Sequence, residues 1–235
     1  MKTITWLSPQ DAPEWFPPLE QALDEPSGLL AAGGDLSPER LLAAYRQGIF
    51  PWYSPGQPVL WWSPDPRTVL FPQEFHLSRS LEKTIRNKCL RVTVNEDFKG
   101  VIDACAAPRA HSSGTWITPE MRQAYVRLHR LGFAHSIEVH CDAQLAGGLY
   151  GVRLGGVFFG ESMFSTQRDG SKVALAHLVM MCPHNSIAVI DCQLASGHLA
   201  SLGARSIARS RFQQLLSRWA SLDSMGLVQP PVHER

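Results

Sequence analysis

Residues 135–165 read HSIEVHCDAQLAGGLYGVRLGGVFFGESMFS, and this stretch decides the fold. Apolar and aromatic residues form three runs, 135–140, 144–154 and 157–165, which predict three β-strands. The breaks at 141–143 and 155–156 are short and typical of hairpin turns. We therefore expect three consecutive antiparallel strands within one sheet.

Helical patterns lie on both sides of these strands. Residues 118–133 predict a helix capped by Thr118 and ended by Gly132. Its expected buried stripe consists of Met121, Ala124, Tyr125, Leu128 and Leu131. Residues 171–182, 210–222 and the start of 76–95 also read as helices, and 186–193 reads as an apolar strand. This layout predicts an α+β fold, with one mixed sheet and helices on its faces.

The first 64 residues differ in composition from the rest of the chain, because they are rich in proline, acidic residues and short segments with a helical pattern. The segment SPERLLAAYRQG, 37–48, predicts a helix with Ser37 as its cap. The glycine-rich segment GLLAAGGDL, 28–36, predicts a turn structure. We divide the chain into a small N-terminal domain, 1–64, and a larger domain, 65–235.

Composition excludes several classes of protein. The 235 residues are 44% hydrophobic and 18% charged, with a net charge of +1, as in ordinary globular proteins. No run of eighteen apolar residues and no signal-peptide core is present, so we expect a cytoplasmic protein without a membrane partner. Five scattered cysteines and nine histidines form no ligand spacing, so we expect no metal.

The stretch GIFPWYSPGQPVLWWSPDPR, 48–67, holds three of the seven tryptophans and five of the seventeen prolines. Proline removes a backbone donor and fixes φ, so turns and short extended pieces are expected here. Indoles on such a frame, Trp52 among them, are candidates to face a ligand.

The loop QRDGSK, 167–172, follows a predicted strand and precedes a helix. Coenzyme A-dependent acyltransferases bind pyrophosphate in such a loop, on a pattern in which Gln167 and Gly170 fit. Lys172, however, stands where that pattern requires glycine or alanine. The layout therefore favours an acyltransferase-like fold that no longer uses coenzyme A.

Three polar residues adjoin apolar runs. Glu161 lies among aromatic and methionine side chains, where a buried carboxylate needs a cationic or hydrogen-bonding partner. Asp191 and Gln193 end an apolar strand, two residues apart and hence on one face. His198 and Ser201 follow without a GxSxG elbow, so a hydrolase is disfavoured.

A basic helix face is the strongest sign of an anionic partner. Arg79, Lys83 and Arg86 are spaced four and three residues apart, and Lys88 and Arg91 extend the charge. With Arg67, these six basic residues stand near a single acid, Glu82. On a neutral protein this excess favours phosphate binding, with the nearby tryptophans as stacking surfaces for bases.

Long motifs closely resemble the leucyl/phenylalanyl-tRNA–protein transferase family from about Gly28 to Arg205. They are GLLAAGGDLSPERLLAAYRQGIFPWYSPGQPVLWWSPDPR, GTWIT, HSIEV, GGLYG, FGESMFS and DCQ with HLASLGA. The resemblance implies a small N-terminal domain followed by an acetyltransferase-like, GNAT-type domain. It implies transfer of leucine or phenylalanine, and less readily methionine, from aminoacyl-tRNA to proteins with N-terminal arginine or lysine. No metal, ATP or coenzyme A is implied, since the tRNA ester is already activated.

The resemblance also implies roles for single residues. Trp52 and Trp116 match tryptophans at the tRNA 3′-terminal adenosine. The aminoacyl pocket is implied to consist of Leu149, Phe158, Leu175 and Leu178. Glu161 would hold an amino group, and Gln193 would orient the attacking amine. Asp191 would polarise Gln193 or, alternatively, hold the basic side chain of the acceptor.

Two alternatives stay open at this stage. One is a coenzyme A-dependent N-acyltransferase of the same fold, which Lys172 disfavours. The other is a non-catalytic tRNA-binding module, which the basic helix face would serve equally well. We expect a monomer.

Overall fold

The computed structural model describes residues 2–87, 90–108, 115–221, 223 and 226–229. Within them, an N-terminal sheet has the order β1-β2-β4-β3. Its strands are β1 (Thr5–Leu7), β2 (Leu29–Gly33), β3 (Phe50–Pro51) and β4 (Leu60–Trp62). Helix α1 (Pro38–Arg46) lies between β2 and β3 in the chain, and the Ser37 hydroxyl accepts from the Arg40 amide. The predicted helix and its cap are confirmed.

Strand β2 corrects the prediction of a turn structure for residues 28–36. Its residues Leu29 to Ala32 are buried, and it pairs with both β1 and β4. The glycines take left-handed conformations at the two ends of the strand, where Gly28 has a φ of 88° and Gly33 and Gly34 have φ of 86° and 74°. The short run LLAA therefore reads correctly as a buried strand rather than as part of the turn.

The main sheet has seven strands in the order β11-β5-β10-β9-β8-β7-β6. They are β5 (Arg67–Leu70), β6 (Leu90–Val94), β7 (Ala134–Cys141), β8 (Gln144–Leu154), β9 (Val157–Ser165), β10 (Val189–Gln193) and β11 (Arg205–Ile207). The strands β7, β8 and β9 pair antiparallel, as predicted. Only β9 and β10 pair parallel, which makes the sheet mixed and confirms the α+β class.

Six helices accompany this sheet in the described residues. They are α2 (Arg79–Asn87), α3 (Phe98–Ala106), α4 (Pro119–Arg130), α5 (Gly170–Met181), α6 (Gly197–Ser201) and α7 (Arg209–Trp219). Helix α4 begins as predicted, with the Thr118 side chain accepting from the Met121 amide. Leu131, however, is 51% exposed. It lies just past the helix, at the C-cap, so the helical periodicity no longer directs it inward.

Apolar side chains form a core on each face of the main sheet. The first core contains residues of α1, α3, α4 and α7 with Tyr150 from β8. The second core contains residues of α2 and α5 with the neighbouring Leu149. Because the first core also includes Leu30 and Trp61 of the N-terminal sheet, one core joins both sheets. The division at residue 64 stays a prediction.

Candidate functional site

The two parallel strands diverge at one end of their pairing. Strand β10 pairs with β9 from Val189 opposite Val157 to Asp191 opposite Phe159, and no further pairs follow. Past this point a cavity of about 140 Å³ opens, with Gly160–Met163 on one wall and Ile190–Gln193 on the other. Divergent strands expose backbone and side chains that a paired strand would cover, so this end of the sheet is suited to binding.

The cavity is mostly apolar. All four residues predicted for the aminoacyl pocket line it, namely Leu149, Phe158, Leu175 and Leu178. Met163, one of the apolar neighbours of Glu161 in the sequence, also lines it, together with Ile190, Cys192 and Leu199, which sequence reasoning missed. An apolar cavity of roughly 150 Å³ is known to hold a benzene ring. The space therefore fits one leucyl or phenylalanyl side chain.

Glu161 forms the polar end of this cavity. Residues 160 and 162 of β9 pair with neighbouring residues of β8, Gly151 and Tyr150, so Glu161 is the extra residue of a β-bulge. Bulges re-aim side chains and are common beside active sites. Glu161 faces the first core, as Phe159 does two residues earlier, and there the Tyr125 hydroxyl donates to its Oε2 at 2.6 Å.

The surroundings of Glu161 shift its protonation. Burial raises its pKa to about 7, although hydrogen bonds from Tyr125 and Tyr45 and the Arg67 charge oppose that rise. The hydroxyls of Tyr45 and Tyr125 lie 2.5 Å apart, and burial raises the pKa of both. Glu161 therefore carries a carboxyl group that exchanges its proton near neutral pH, while the tyrosines remain protonated donors.

Asp191 is bound by an arginine that the sequence analysis assigned elsewhere. The Arg67 Nε donates to Asp191 Oδ1 at 2.8 Å and Nη2 donates to Oδ2 at 2.6 Å. Both side chains are almost fully buried. Counting Arg67 in a phosphate-binding patch was therefore wrong. Both oxygens of the Asp191 carboxylate already accept from Arg67. The alternative in which Asp191 holds the basic side chain of the acceptor is therefore disfavoured.

Gln193 is held beside Glu161 by a second bulge. The register shift between β10 and β5 makes Cys192 the extra residue, and Gln193 adopts a φ of 61°. Its amide N–H donates to Asp191 Oδ1 at 3.0 Å, and its side-chain Nε2 donates to Glu161 Oε1 at 3.2 Å. Asp191 thus contacts the backbone of Gln193, and Glu161 contacts the side chain. Gln193 Oε1 remains as an acceptor for an incoming N–H group.

A second, larger cleft is aromatic. It measures about 750 Å³, and Trp52, Trp62, Tyr53 and Trp116 contribute to its lining. The Trp52 and Trp62 rings lie 5.6 Å apart, and the Trp62 Nε1 donates to the Trp52 carbonyl at 2.7 Å. Trp61 instead is fully buried and donates to the Gly33 carbonyl. Of the three clustered indoles, one is core and two face the cleft.

A third cavity, of about 210 Å³, borders both the aromatic cleft and the apolar cavity. It shares Trp52 and Trp116 with the cleft and Glu161 and Gln193 with the apolar cavity. The three spaces together present an aromatic surface, the polar pair of Glu161 and Gln193, and an apolar end. The structure thereby brings together all the predicted adenosine, pocket and catalytic residues.

The predicted phosphate-binding face is less closely tied to this site. Arg79, Lys83 and Arg86 are exposed on α2, and Arg86 forms an ion pair with Glu82. Helix α2 packs near α5 in the second core. Lys88 lies outside the described residues.

The loop before α5 does not resemble an open phosphate site. Lys172 Nζ lies 3.2 Å from Asp169 Oδ1, and Arg168 lies 3.6 Å from the same carboxylate. The Cβ of any residue replacing Gly170 would meet the Ala146 carbonyl oxygen at 2.4 Å. The charges of this loop are partly neutralised among themselves.

The described residues contain no group of three or more His, Cys, Asp or Glu side chains that could hold a metal ion. No helix in this part of the chain is long and apolar enough to cross a membrane.

Fold and site together define an α+β protein with a small apolar cavity beside a buried carboxyl group, close to an aromatic cleft. The family described as leucyl/phenylalanyl-tRNA protein transferase matches residues 69–217, and its N-terminal domain matches residues 34–65. The chain belongs to this family.

Curated relatives agree over most of the chain. The leucyl/phenylalanyl-tRNA–protein transferase of Pseudomonas entomophila is 58% identical, covering 92% of this chain and 94% of the relative. That of Azoarcus sp. is 57% identical, covering 92% and 91%. Among solved structures, a GCN5-related N-acetyltransferase from Kribbella flavida is 10% identical with a TM-score of 0.38, covering 73% of this chain and 61% of that one. A TM-score this low supports no functional inference.

The buried partners of the site were not predicted. Tyr45 was only one residue of the predicted helix 37–48, and Tyr125 was only part of a buried stripe, yet Tyr125 donates to Glu161 and Tyr45 hydrogen-bonds to Tyr125. Arg67 was counted with the surface charges. A sign was available in the sequence, because each buried carboxylate requires a donor or a cation.

Proposed function

We propose that this protein is an aminoacyltransferase. It moves leucine or phenylalanine, and less readily methionine, from aminoacyl-tRNA to the α-amine of a protein whose N-terminal residue is arginine or lysine. The added residue marks the acceptor for the N-degron pathway. The reaction needs no cofactor, and the enzyme acts as a cytoplasmic monomer.

The observation that carries this proposal is that three neighbouring cavities share lining residues. The aromatic cleft suits the terminal adenosine, which Trp52 and Trp116 would stack against. The apolar cavity suits the side chain of the donated amino acid. The ester that joins the two would then lie between them, against Glu161 and Gln193. This arrangement of the cavities fits a donor that has a nucleoside at one end and an apolar side chain at the other.

The chemistry follows from these positions. The acceptor amine attacks the ester carbonyl carbon, an amide bond forms, and the bond to the tRNA ribose oxygen breaks. One proton leaves the amine and one is taken up by the ribose oxygen. Because an N-terminal amine has an ordinary pKa of about 8, a useful fraction is already neutral and nucleophilic. The enzyme's main contribution is then to position the reactants.

Gln193 and Glu161 serve that positioning. Because Gln193 Nε2 donates to Glu161, its Oε1 can accept a hydrogen bond from the attacking amine. Glu161 lies at the junction of both cavities, where its carboxylate form would stabilise the ammonium group of the donor or acceptor. Asp191, paired with Arg67, holds the backbone of Gln193 in its bulge.

The alternatives are weaker on specific grounds. A coenzyme A-dependent enzyme would need an open phosphate loop, but Asp169 and Lys172 bind each other there. A protein that only binds tRNA has no need for a carboxyl group buried at the end of an apolar cavity. Burying that group costs free energy, which a catalytic role would explain.

A transfer assay tests the proposal. Radiolabelled Leu-tRNA is mixed with the protein and two peptides that differ only in an N-terminal arginine or alanine. We expect label on the arginine peptide alone, without ATP or coenzyme A. The Asp191→Asn and Gln193→Ala variants should retain tRNA on a filter but lose turnover. Label on neither peptide, with tRNA retained, would favour the binding module.

A further inference from the structure

A second basic surface lies between α3 and α4, on the first-core face of the main sheet. It is a groove of about 490 Å³. Its lining includes Lys99, Asp103, Arg122, Gln123, Arg127 and Arg130. We call it the α3/α4 groove. The sequence analysis did not single it out, because α4 was recognised only by its buried stripe.

The charge of this groove is strongly one-sided. Four cationic side chains face one carboxylate, Asp103. On α4 the lining positions 119, 122, 123, 126, 127 and 130 recur at helical spacing, so they form one continuous strip. Arg122 and Arg130 lie eight residues apart, or roughly 12 Å along the helix axis. A strip of this kind presents spaced cations to an extended anion.

The cations are not fully neutralised by the protein. Asp103 is shared between Lys99, at 2.8 Å, and Arg122. The Arg122 Nε is buried but has no hydrogen-bond partner among the described residues. Arg127 and Arg130 are exposed. The groove therefore retains both net positive charge and free donors.

The groove adjoins the aromatic cleft. Pro119, at the start of α4, lines the groove, and Trp116, three residues earlier, lines the cleft. Thr118 connects the two, because its hydroxyl lies 3.1 Å from the hydroxyl of Tyr53 in the cleft wall. A strand of nucleic acid whose last base lies in the cleft can therefore continue along α4.

We propose that the α3/α4 groove binds backbone phosphates of the donor tRNA close to its 3′-terminal adenosine. This inference rests on the proposed function for the identity of the ligand. Proteins that bind single-stranded nucleic acid combine a positive groove with aromatic stacking surfaces, and here both lie on one side of the sheet. The α2 face, in contrast, adjoins the second core, on the opposite side.

The test is the salt dependence of tRNA binding by the full chain. Deacylated tRNA is titrated from low to moderate salt against the wild-type protein and the double variant Arg122→Ala/Arg130→Ala. Losing two phosphate contacts should reduce the log–log slope by roughly 1.4. The KM for Leu-tRNA should rise roughly five- to thirtyfold. The variant Arg122→Lys/Arg130→Lys should keep the slope, and so should Arg211→Ala, which removes an exposed cation on α7 outside the groove.

A donor without phosphates distinguishes a loss of phosphate binding from a structural defect of the double alanine variant. The double alanine variant should transfer leucine from 3′-O-leucyl-adenosine at the wild-type rate. An unchanged salt slope would overturn the inference, and so would an equal loss with both donors. Failure of the wild-type protein to transfer from Leu-tRNA would instead overturn the proposed function, while the slope would still report on the groove.

Discussion

Replacing Glu161 with glutamine should make the protein more stable at alkaline pH and leave it nearly unchanged at acidic pH. Burial raises the Glu161 pKa from 4.5 to about 7. Between these values the folded protein holds a proton that the unfolded chain has released. Stability therefore falls as the pH rises through this window, by about 1.4 kcal/mol per unit of pKa shift, or about 3 kcal/mol in total. Glutamine does not titrate, so the Glu161→Gln variant escapes this fall.

The assay is urea denaturation of both proteins between pH 4.5 and 8.5. The difference in free energy of unfolding should be close to zero at the acidic end, where protonated Glu161 and glutamine have similar shape. It should grow in favour of Glu161→Gln and level off above about pH 8. A difference that stays constant across the range would refute the reasoning. It would show that hydrogen bonds from Tyr125, Tyr45 and Gln193 offset the cost of burying the charge.

Three further predictions concern the site. Tyr125→Phe removes the hydroxyl that donates to Glu161 at 2.6 Å, so the Glu161 pKa should rise further and the ascending limb of kcat/KM should move to higher pH. The Tyr53→Phe variant, which loses only its contact with Thr118, should keep the wild-type profile, and an equal shift in both would contradict this. Leu178→Phe fills part of the 140 Å³ cavity, so kcat/KM for Phe-tRNA should fall at least about tenfold relative to Leu-tRNA; an unchanged ratio would place the side chain elsewhere. Trp61→Ala should cost about 3–5 kcal/mol in unfolding experiments because Trp61 is fully buried, whereas Trp52→Ala should spare stability and weaken aminoacyl-tRNA binding by about 1–3 kcal/mol. Equal destabilisation by both tryptophan variants would argue against the cleft.

Local patterns predicted the elements that carry strong periodicity. The strands β8 and β9 match the predicted ranges 144–154 and 157–165, and α1 and α4 begin at their predicted caps. Elements without such a pattern were not predicted. These are β2, which contains a glycine, β5, which is only four residues long, and α3 and β11. Short strands are defined by their partners in the sheet rather than by their own residues.

The candidate site likewise contains residues that were predicted and residues that were not. The resemblance to a known family named the residues that line the cavities, and the structure brings them together. The residues behind them were not predictable locally, because their contacts cross the chain. Tyr45 meets Tyr125 across 80 residues, and Arg67 meets Asp191 across 124. Both bulges likewise depend on the register of neighbouring strands, which the sequence of one strand does not contain.

The surroundings of Arg67 affect how the larger predicted domain would behave as a separate fragment. Its guanidinium binds Asp191 and also donates to the Gly48 carbonyl at 3.1 Å, with the Phe50 ring 4.8 Å away. Residues from both predicted domains thus surround one buried cation. A fragment that starts after residue 64 would open this cation to water and lose one of its acceptors. We therefore expect the larger half to be less stable by itself than in the whole chain, unless the fragment also carries the segment around Gly48 and Phe50.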